Sequence, residues 1–344
     1  MESSRAVNRP TMRHVAELAG VSLKTVSRVI NAEPGVAAAT ATRVAEAIDQ
    51  LGFQRNDLAR SLRQGGTSAT LGLVVEDVAN PFYSAIAQAV VAAARTRDFM
   101  VITGSCEEDP ERERDLVLAL LRRRVDALLL VPAARMRDHA WLARELGAGT
   151  PVVFLDRPPH GLEADTVVLD NRGGARAAVE HLLAQGHRRI AYVSDPGELF
   201  TAAERLGGYL AAMATAGVPV RDELVRLGPH DAGEAEGVVR ELLALAPGRR
   251  PTAIFTGNNR NTVGALRALR GLEQEIALVG FDDFELADLL AVPTTVVRHD
   301  SERMGAEAAA LAFARLDGDG ASPRRVVVPT QLVARGSGEV PVSP

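Results

Sequence analysis

Apolar and polar positions follow two successive rhythms along this chain. From Thr11 to Leu51 the apolar residues recur at three- and four-residue spacing, the period of helices with one buried face. Thr11 has the hydroxyl to cap a first helix, Met12 to Leu18, with Val15 and Leu18 on its inner face. Ala19-Gly20-Val21 breaks that helix: Ala19 is small for a close crossing, Gly20 tolerates positive φ and Val21 turns into the core. Ser22 caps a second helix running to about Asn31, with Val26, Val29 and Ile30 inward. After a Pro34-Gly35 loop, a third helix over about Ala38–Leu51 buries Val44, Ala47, Ile48 and Leu51, and Gly52 ends it. Asn56–Arg63 reads as a short helix capped by Asn56, and Gln64–Ser68 as a flexible linker.

After Ala69 the rhythm changes. Apolar β-rich runs at Thr70–Glu76, Phe99–Thr103, Ala127–Val131, Val152–Leu155, Ile190–Ser194, Ala253–Thr256 and Ile276–Gly280 alternate with helical stretches such as Phe82–Thr96, Gly173–Gln185 and Asn261–Arg270. Near-continuous apolar strands separated by helices predict parallel sheets covered on both faces. The units are too many for one sheet. The expected fold class is therefore α/β: an N-terminal all-α helix-turn-helix headpiece followed by two doubly wound parallel-sheet lobes.

Composition narrows the picture. With 344 residues, 47% hydrophobic and 24% charged, the chain has the make-up of a soluble protein of two or three domains. A single cysteine, Cys106, cannot form an internal disulfide, which fits a cytoplasmic location. No apolar stretch follows the N-terminal charges, and none elsewhere reaches the length of a membrane span, so neither a signal peptide nor a membrane partner is expected. The net charge of −5 conceals an asymmetry: residues 1–65 hold nine Lys+Arg against six acids, +3, which leaves −8 for the rest. A basic head on an acidic body is the distribution expected when only the head meets phosphate.

Two short helices joined by a tight glycine turn, with a third beneath, form a helix-turn-helix. On the second helix Leu23, Lys24, Thr25, Ser27 and Arg28 lie away from the apolar face, toward the end that reaches base edges. A plain three-helix bundle with a polar face has the same spacing.

The stretch Thr11–Asn31, above all Ala19-Gly20-Val21-Ser22 and Thr25-Val26-Ser27-Arg28-Val29-Ile30-Asn31, resembles the N-terminal signature of the lactose/galactose repressor (LacI/GalR) family, and the resemblance continues to Val333–Ser337. It implies that the second helix enters the major groove of double-stranded DNA. Leu23 and Lys24 then occupy the two variable base-reading positions and Arg28 a third contact, while Ser22, Thr25, Ser27 and Asn31 position phosphates. The chemistry agrees: an ammonium suits guanine O6 and N7, and leucine suits a thymine methyl. Asn56–Arg63 resembles the family's hinge helix. The resemblance makes Leu62 a minor-groove wedge, with Asn56 at the cap, Ala59 small where the hinge nears the groove, and Arg63 adding charge. Arg55 stands where the family often has proline, and Ala37 where the third helix often has a serine cap.

Further motifs resemble the family in the body: Asn80-Pro81-Phe82-Tyr83, Asp156-Arg157, Glu204–Tyr209, Gly186–Ala191, Asn258-Asn259 and Gly280–Asp283. Nearly all fall at the C-terminal ends of predicted strands, where ligands bind in open α/β sheets. The resemblance implies a small-molecule effector between the lobes, held by Arg205, Asn258 and Asp282 with Asp156 beside them, and with Phe82 or Tyr83 packed on an apolar face. His230 falls roughly where many members place an aromatic that stacks on the effector, Asn259 replaces a common aspartate, and Ser301 sits near a usual apolar contact. The plainer alternatives are a surface salt bridge for Arg205 and loop capping for Asp156 and Asp282. Asp282 and Asp283 are adjacent and are expected to point apart.

No GxSxG elbow, P-loop or GxGxxG occurs, the histidines lack HxxxH spacing, and one cysteine makes no thiolate zinc site. No catalytic residue, metal or cofactor is expected. The reading is a homodimeric repressor of a carbohydrate-related operon, released from a near-palindromic operator by a sugar-like effector. It has a headpiece at 11–55, a hinge and linker at 56–68, and a periplasmic-binding-protein-like body at 69–337. Lobe 1 is expected at about 69–168 and 300–327, and lobe 2 at about 169–299 and 328–337. The alternatives are a corepressor-dependent regulator or activator, a transport-type sugar-binding protein, and an enzyme with a fused DNA-binding domain.

Overall fold

Three helices form the first part of the computed structural model, which describes residues 10–31, 33–53, 67–133, 138–147, 149–272 and 275–342. They are α1 (Met12–Ala19), α2 (Leu23–Ile30) and α3 (Ala38–Leu51). His14 Nδ1 accepts the Thr11 N–H at 3.2 Å, and Ser22 Oγ accepts that of Thr25 at 3.1 Å, so donors at both helix starts are satisfied. Gly20 and Gly52 close α1 and α3 with φ of 64° and 60°. Ala37 precedes α3 with no side-chain cap, yet the helix begins at Ala38 as expected. Val15, Ala16, Ala19, Val26, Val44 and Ala47 make the core, with Val21, Val29, Ile30, Ile48 and Leu51 against it. Leu18 is a correction: it is 46% exposed. Met12, Val15, Ala16 and Ala19 already fill the i, i+3, i+4, i+7 stripe, and Leu18 falls beside it. The expected Asn56–Arg63 hinge helix lies outside the described residues.

Residues from Ala69 onward form a second unit. Its elements in order are β1 (Thr70–Val75), α4 (Pro81–Arg95), β2 (Met100–Ser105), α5 (Pro110–Arg122), β3 (Ala127–Leu130), α6 (Ala140–Glu145), β4 (Val152–Leu155), β5 (Asp165–Leu169), α7 (Asn171–Ala184), β6 (Ile190–Ser194), α8 (Phe200–Thr215), β7 (Val225–Leu227), α9 (Ala232–Leu243), β8 (Ala253–Thr256), α10 (Asn259–Leu269), β9 (Ala277–Phe281), β10 (Thr295–His299), α11 (Ser301–Leu316), β11 (Arg325–Val328) and β12 (Thr330–Val333). They build two six-stranded sheets, in orders β11-β5-β4-β3-β1-β2 and β12-β10-β9-β8-β6-β7. Every pairing is parallel except β10 with β12. The chain crosses between the two lobes three times, after β5, β10 and β11. These crossings bring the strand ends of both sheets to one cleft.

The central strands β3, β8 and β9 are buried along their whole length, as double-covered parallel strands must be. Helices approach closely where glycine allows it. A Cβ added at Gly208 of α8 would collide with the backbone carbonyl of Arg172 in α7.

Candidate functional site

On the headpiece, Ser22, Leu23 and Lys24 are exposed at the amino end of α2, with Leu23 51% exposed. Ser22 Oγ and Thr25 Oγ1 lie 2.9 Å apart. Arg28 is turned to its own loop: Nη2 donates to the Pro34 carbonyl at 2.6 Å, and Nε lies 3.7 Å from Glu33. Asn31 Nδ2 donates to Glu33 Oε1 at 3.1 Å and to Ser27 Oγ at 3.4 Å. The base-reading pair named from the sequence therefore faces solvent, while Arg28 and Asn31 are tied to the loop after α2. Asn56, Ala59, Leu62 and Arg63 lie outside the described residues.

In the body, the strand ends converge on a cleft lined by all of Phe82, Tyr83, Asp156, Arg205, His230, Asn258 and Asp282. Arg205, on the first turns of α8, is 5% exposed and held on three sides. Nε donates to Asn171 Oδ1 at 2.7 Å, Nη1 donates to the Gly257 carbonyl, and the guanidinium lies 3.8 Å above the Phe281 ring. Nη2 lies 3.8 Å from Asp282 Oδ1. This rigid, buried fork is not a surface salt bridge.

Asp282 follows β9 and accepts a hydrogen bond from His299 Nε2 at 2.8 Å, while His299 Nδ1 accepts from Ser301 Oγ at 3.2 Å. Burial pushes the Asp282 carboxyl up, but Arg205 and His299 outweigh it and hold the carboxyl below its ordinary range. Asp156 follows β4. Its Oδ2 accepts from the Tyr83 hydroxyl at 3.3 Å, and its Oδ1 is buried with no hydrogen-bond partner. Here burial wins over Arg157 and Arg205, and the carboxyl is pushed up. Arg157 is spent on Glu108, with bonds of 2.9 and 2.7 Å, and on the Pro132 carbonyl at 2.8 Å. Asp283 points away from Asp282 and pairs with Arg335 at 2.7 and 2.6 Å.

The aromatic and imidazole rings of the lining are tied to neighbouring groups. Tyr83 offers no open face: it is 4% exposed, and its ring packs edge-on against Phe82 with the hydroxyl turned to Asp156. Phe82 in turn packs edge-on against His299, 5.2 Å between centroids. His230 is an ion-pairing group. Nδ1 lies 3.3 Å from Asp195 and Nε2 3.5 Å from Glu76, and hydrogen bonds to those two carboxylates raise its pKa to about 10.

Several lining groups were missed from the sequence. Glu76 and Asp195 each follow a strand directly, the same signal that singled out Asp156, yet neither belongs to a quoted motif. Arg260 reaches across the cleft to Asp77 and lies 3.5 Å from Glu76, and Asn259 Nδ2 donates to Asn80 Oδ1 at 3.0 Å. Asn258 does two things: Oδ1 caps α10 by accepting the Asn261 N–H at 2.7 Å, and Nδ2 donates to Asp195 at 2.5 Å. Cys106 is buried and its thiol is pushed up to about 12, which makes it inert at neutral pH.

A helix-turn-helix headpiece on a chain whose body has two lobes around a polar cleft defines a class, the ligand-sensing bacterial transcription regulators. Residues 11–56 match the family described as bacterial regulatory proteins, lacI family, and residues 179–338 match the periplasmic binding protein-like domain. The HTH-type transcriptional regulator GalR of Salmonella typhimurium is 38% identical over 309 residues, 88% of this chain and 89% of its own length. A solved transcriptional regulator CelR–cellobiose complex is 34% identical with TM-score 0.70, over 96% of this chain and all of that one. A Lac repressor dimer bound to operator and the anti-inducer ONPF is 26% identical with TM-score 0.80, over 97% of this chain and 100% of that one. The chain belongs to the lacI family of bacterial regulatory proteins.

Proposed function

We propose that this chain is a sequence-specific repressor of a carbohydrate-related operon, released from a near-palindromic operator when a sugar-like effector fills the cleft. The observation that carries the reading is the convergence of Arg205, Asp282 and Asp156 in a single cleft of a chain whose headpiece exposes Leu23 and Lys24. Ser22, Thr25, Ser27, Arg28 and Asn31 serve the phosphates and base edges around that pair. By sequence resemblance, Asn56, Ala59, Leu62 and Arg63 serve the hinge. The headpiece comprises residues 11–55, the hinge and linker 56–68 and the sensor 69–337.

The chain works as a homodimer in the cytoplasm and catalyses no reaction on its effector. A C2 dimer matches a two-fold operator. The body carries exposed apolar side chains suited to such an interface, including Met100 at 72% and Ile102 on edge strand β2. Repeated selection of the full chain on random DNA, followed by titration, tests the reading. An enriched palindrome bound far more tightly than scrambled DNA is expected; equal binding of both at fixed salt would refute it.

A further inference from the structure

Building on the effector-cleft reading, we infer that this cleft takes an uncharged polyhydroxyl ligand and rejects the phosphorylated or carboxylated forms of the same molecule. The charge of the lining is the first ground. Five carboxylates, Glu76, Glu108, Asp156, Asp195 and Asp282, face three guanidiniums and one imidazole. An anion entering this space meets a net negative wall.

The second ground is that the cations are already occupied. Arg157 is clasped by Glu108 and the Pro132 carbonyl. Arg205 is engaged by Asn171 and the Gly257 carbonyl, with Asp282 alongside. Arg260 is paired with Asp77 and Glu76, and the His230 ring lies between Asp195 and Glu76. At Arg157, Arg260 and His230 a phosphate or carboxylate gains a full cation only by displacing an internal carboxylate and leaving it unpaired, and at Arg205 it meets Asp282 at 3.8 Å from Nη2. The amino end of α8, which has no side-chain cap and reaches the cleft through Leu199 and Thr201, offers N–H donors. A sugar oxygen accepts from them as well, and although an anion gains more at a helix amino end, here that gain is set against the surrounding carboxylates.

The third ground is a vacant acceptor. Asp156 is 2% exposed, and its Oδ1 has no hydrogen-bond partner. An unmade bond on a buried carboxylate is costly, and a ligand that brings an O–H donor repairs it. Sugar hydroxyls donate and accept at once, so one can serve Asp156 Oδ1 and another the remaining reach of Arg205 Nη2. A phosphate dianion donates nothing. The upward push on the Asp156 carboxyl by burial points the same way, since a nearby anion would push it further.

The test is calorimetry of the full chain at neutral pH against matched sets: D-galactose with galactose 1-phosphate and galacturonate, D-ribose with ribose 5-phosphate, D-glucose with glucose 6-phosphate and gluconate, and cellobiose with cellobionate. At least one neutral member should bind, and its charged counterparts at least ~30-fold more weakly. A charged member that equals or exceeds its neutral counterpart overturns the inference, as does a panel in which no neutral member binds. Asp156→Asn, which removes one lining charge at constant shape, should narrow the neutral-to-charged ratio by about 5-fold or more. An unchanged ratio would leave Asp156 a loop-structuring residue and remove the third ground. Operator release is measured separately. A neutral sugar that binds without releasing operator DNA refutes the regulatory reading and leaves the ligand class standing; release by an anionic sugar alone does the reverse.

Discussion

Asp156 and Asp282 occupy equivalent places in the two lobes. Each is the first residue after the fourth strand of its sheet, β4 and β9 counted from the β2 and β7 edges, and each has left-handed φ, 64° and 68°. Non-glycine residues accept such a φ rarely, and aspartate more readily than most. Both carboxylates act electrostatically on Arg205. Their protonation tendencies nevertheless diverge, because Asp282 has His299 as a donor while Asp156 has only the Tyr83 hydroxyl and the flank of an arginine already spent on Glu108.

Arg205→Ala should separate sensing from DNA binding. Removal of a buried guanidinium that still offers Nη2 to the cleft costs roughly 2–5 kcal/mol of effector affinity, about 30-fold or more. Operator affinity without effector should remain near that of the parent chain. Operator titration with and without effector, together with calorimetry, checks this; an unchanged effector response would take Arg205 out of the site.

Lys24→Ala should cost about 1–3 kcal/mol on the preferred operator and relax preference at one base pair per half-site. Binding to a set of single-base operator variants measures it. Uniform weakening across all sequences would make Lys24 a phosphate contact instead.

His230 should make stability depend on alkaline pH. Its pKa is raised to about 10 by Asp195 and Glu76, with Glu234 bonded to its backbone N–H and Arg260 nearby on the same carboxylates. A raised pKa in the folded chain favours the charged, folded form. The contribution is therefore complete below the unfolded value of about 6.5 and is lost as pH climbs toward 10. Urea midpoints for the parent and His230→Gln should converge across that window. A constant gap between them would show that the ring stays neutral or acts only by packing.

Gly208→Ala should destabilise the second lobe by about 1–3 kcal/mol, because the new methyl meets the Arg172 carbonyl between α7 and α8 and a backbone cannot swing aside. Thermal unfolding checks it, and a neutral change would mean that the two helices slide apart without penalty.

Much of this architecture is written locally. Ser22, Gly20 and Gly52 mark helix ends through their own backbone and hydrogen-bonding chemistry, and α3 begins and stops where the apolar period and Gly52 put it. The buried strands β3, β4, β6 and β8 stand out because both of their faces are covered, so the apolar run is nearly unbroken. Strands β5, β7, β10, β11 and β12 were not legible. They are short, or carry polar residues such as Asp165, Arg298 and Arg325, and they owe their existence to partners far along the chain. The site divides in the same way. Arg205, Asn258 and Asp282 were nameable because each sits in a motif at a strand or helix end. That His230 braces Glu76 against Asp195, that Tyr83 turns its hydroxyl inward, and that Arg260 ties α10 to the end of β1 depend on which strand ends the three lobe crossings bring together. Periodicity reports the environment of one element at a time, whereas the pairing of charges across a cleft is settled only when separate elements share one low-dielectric space.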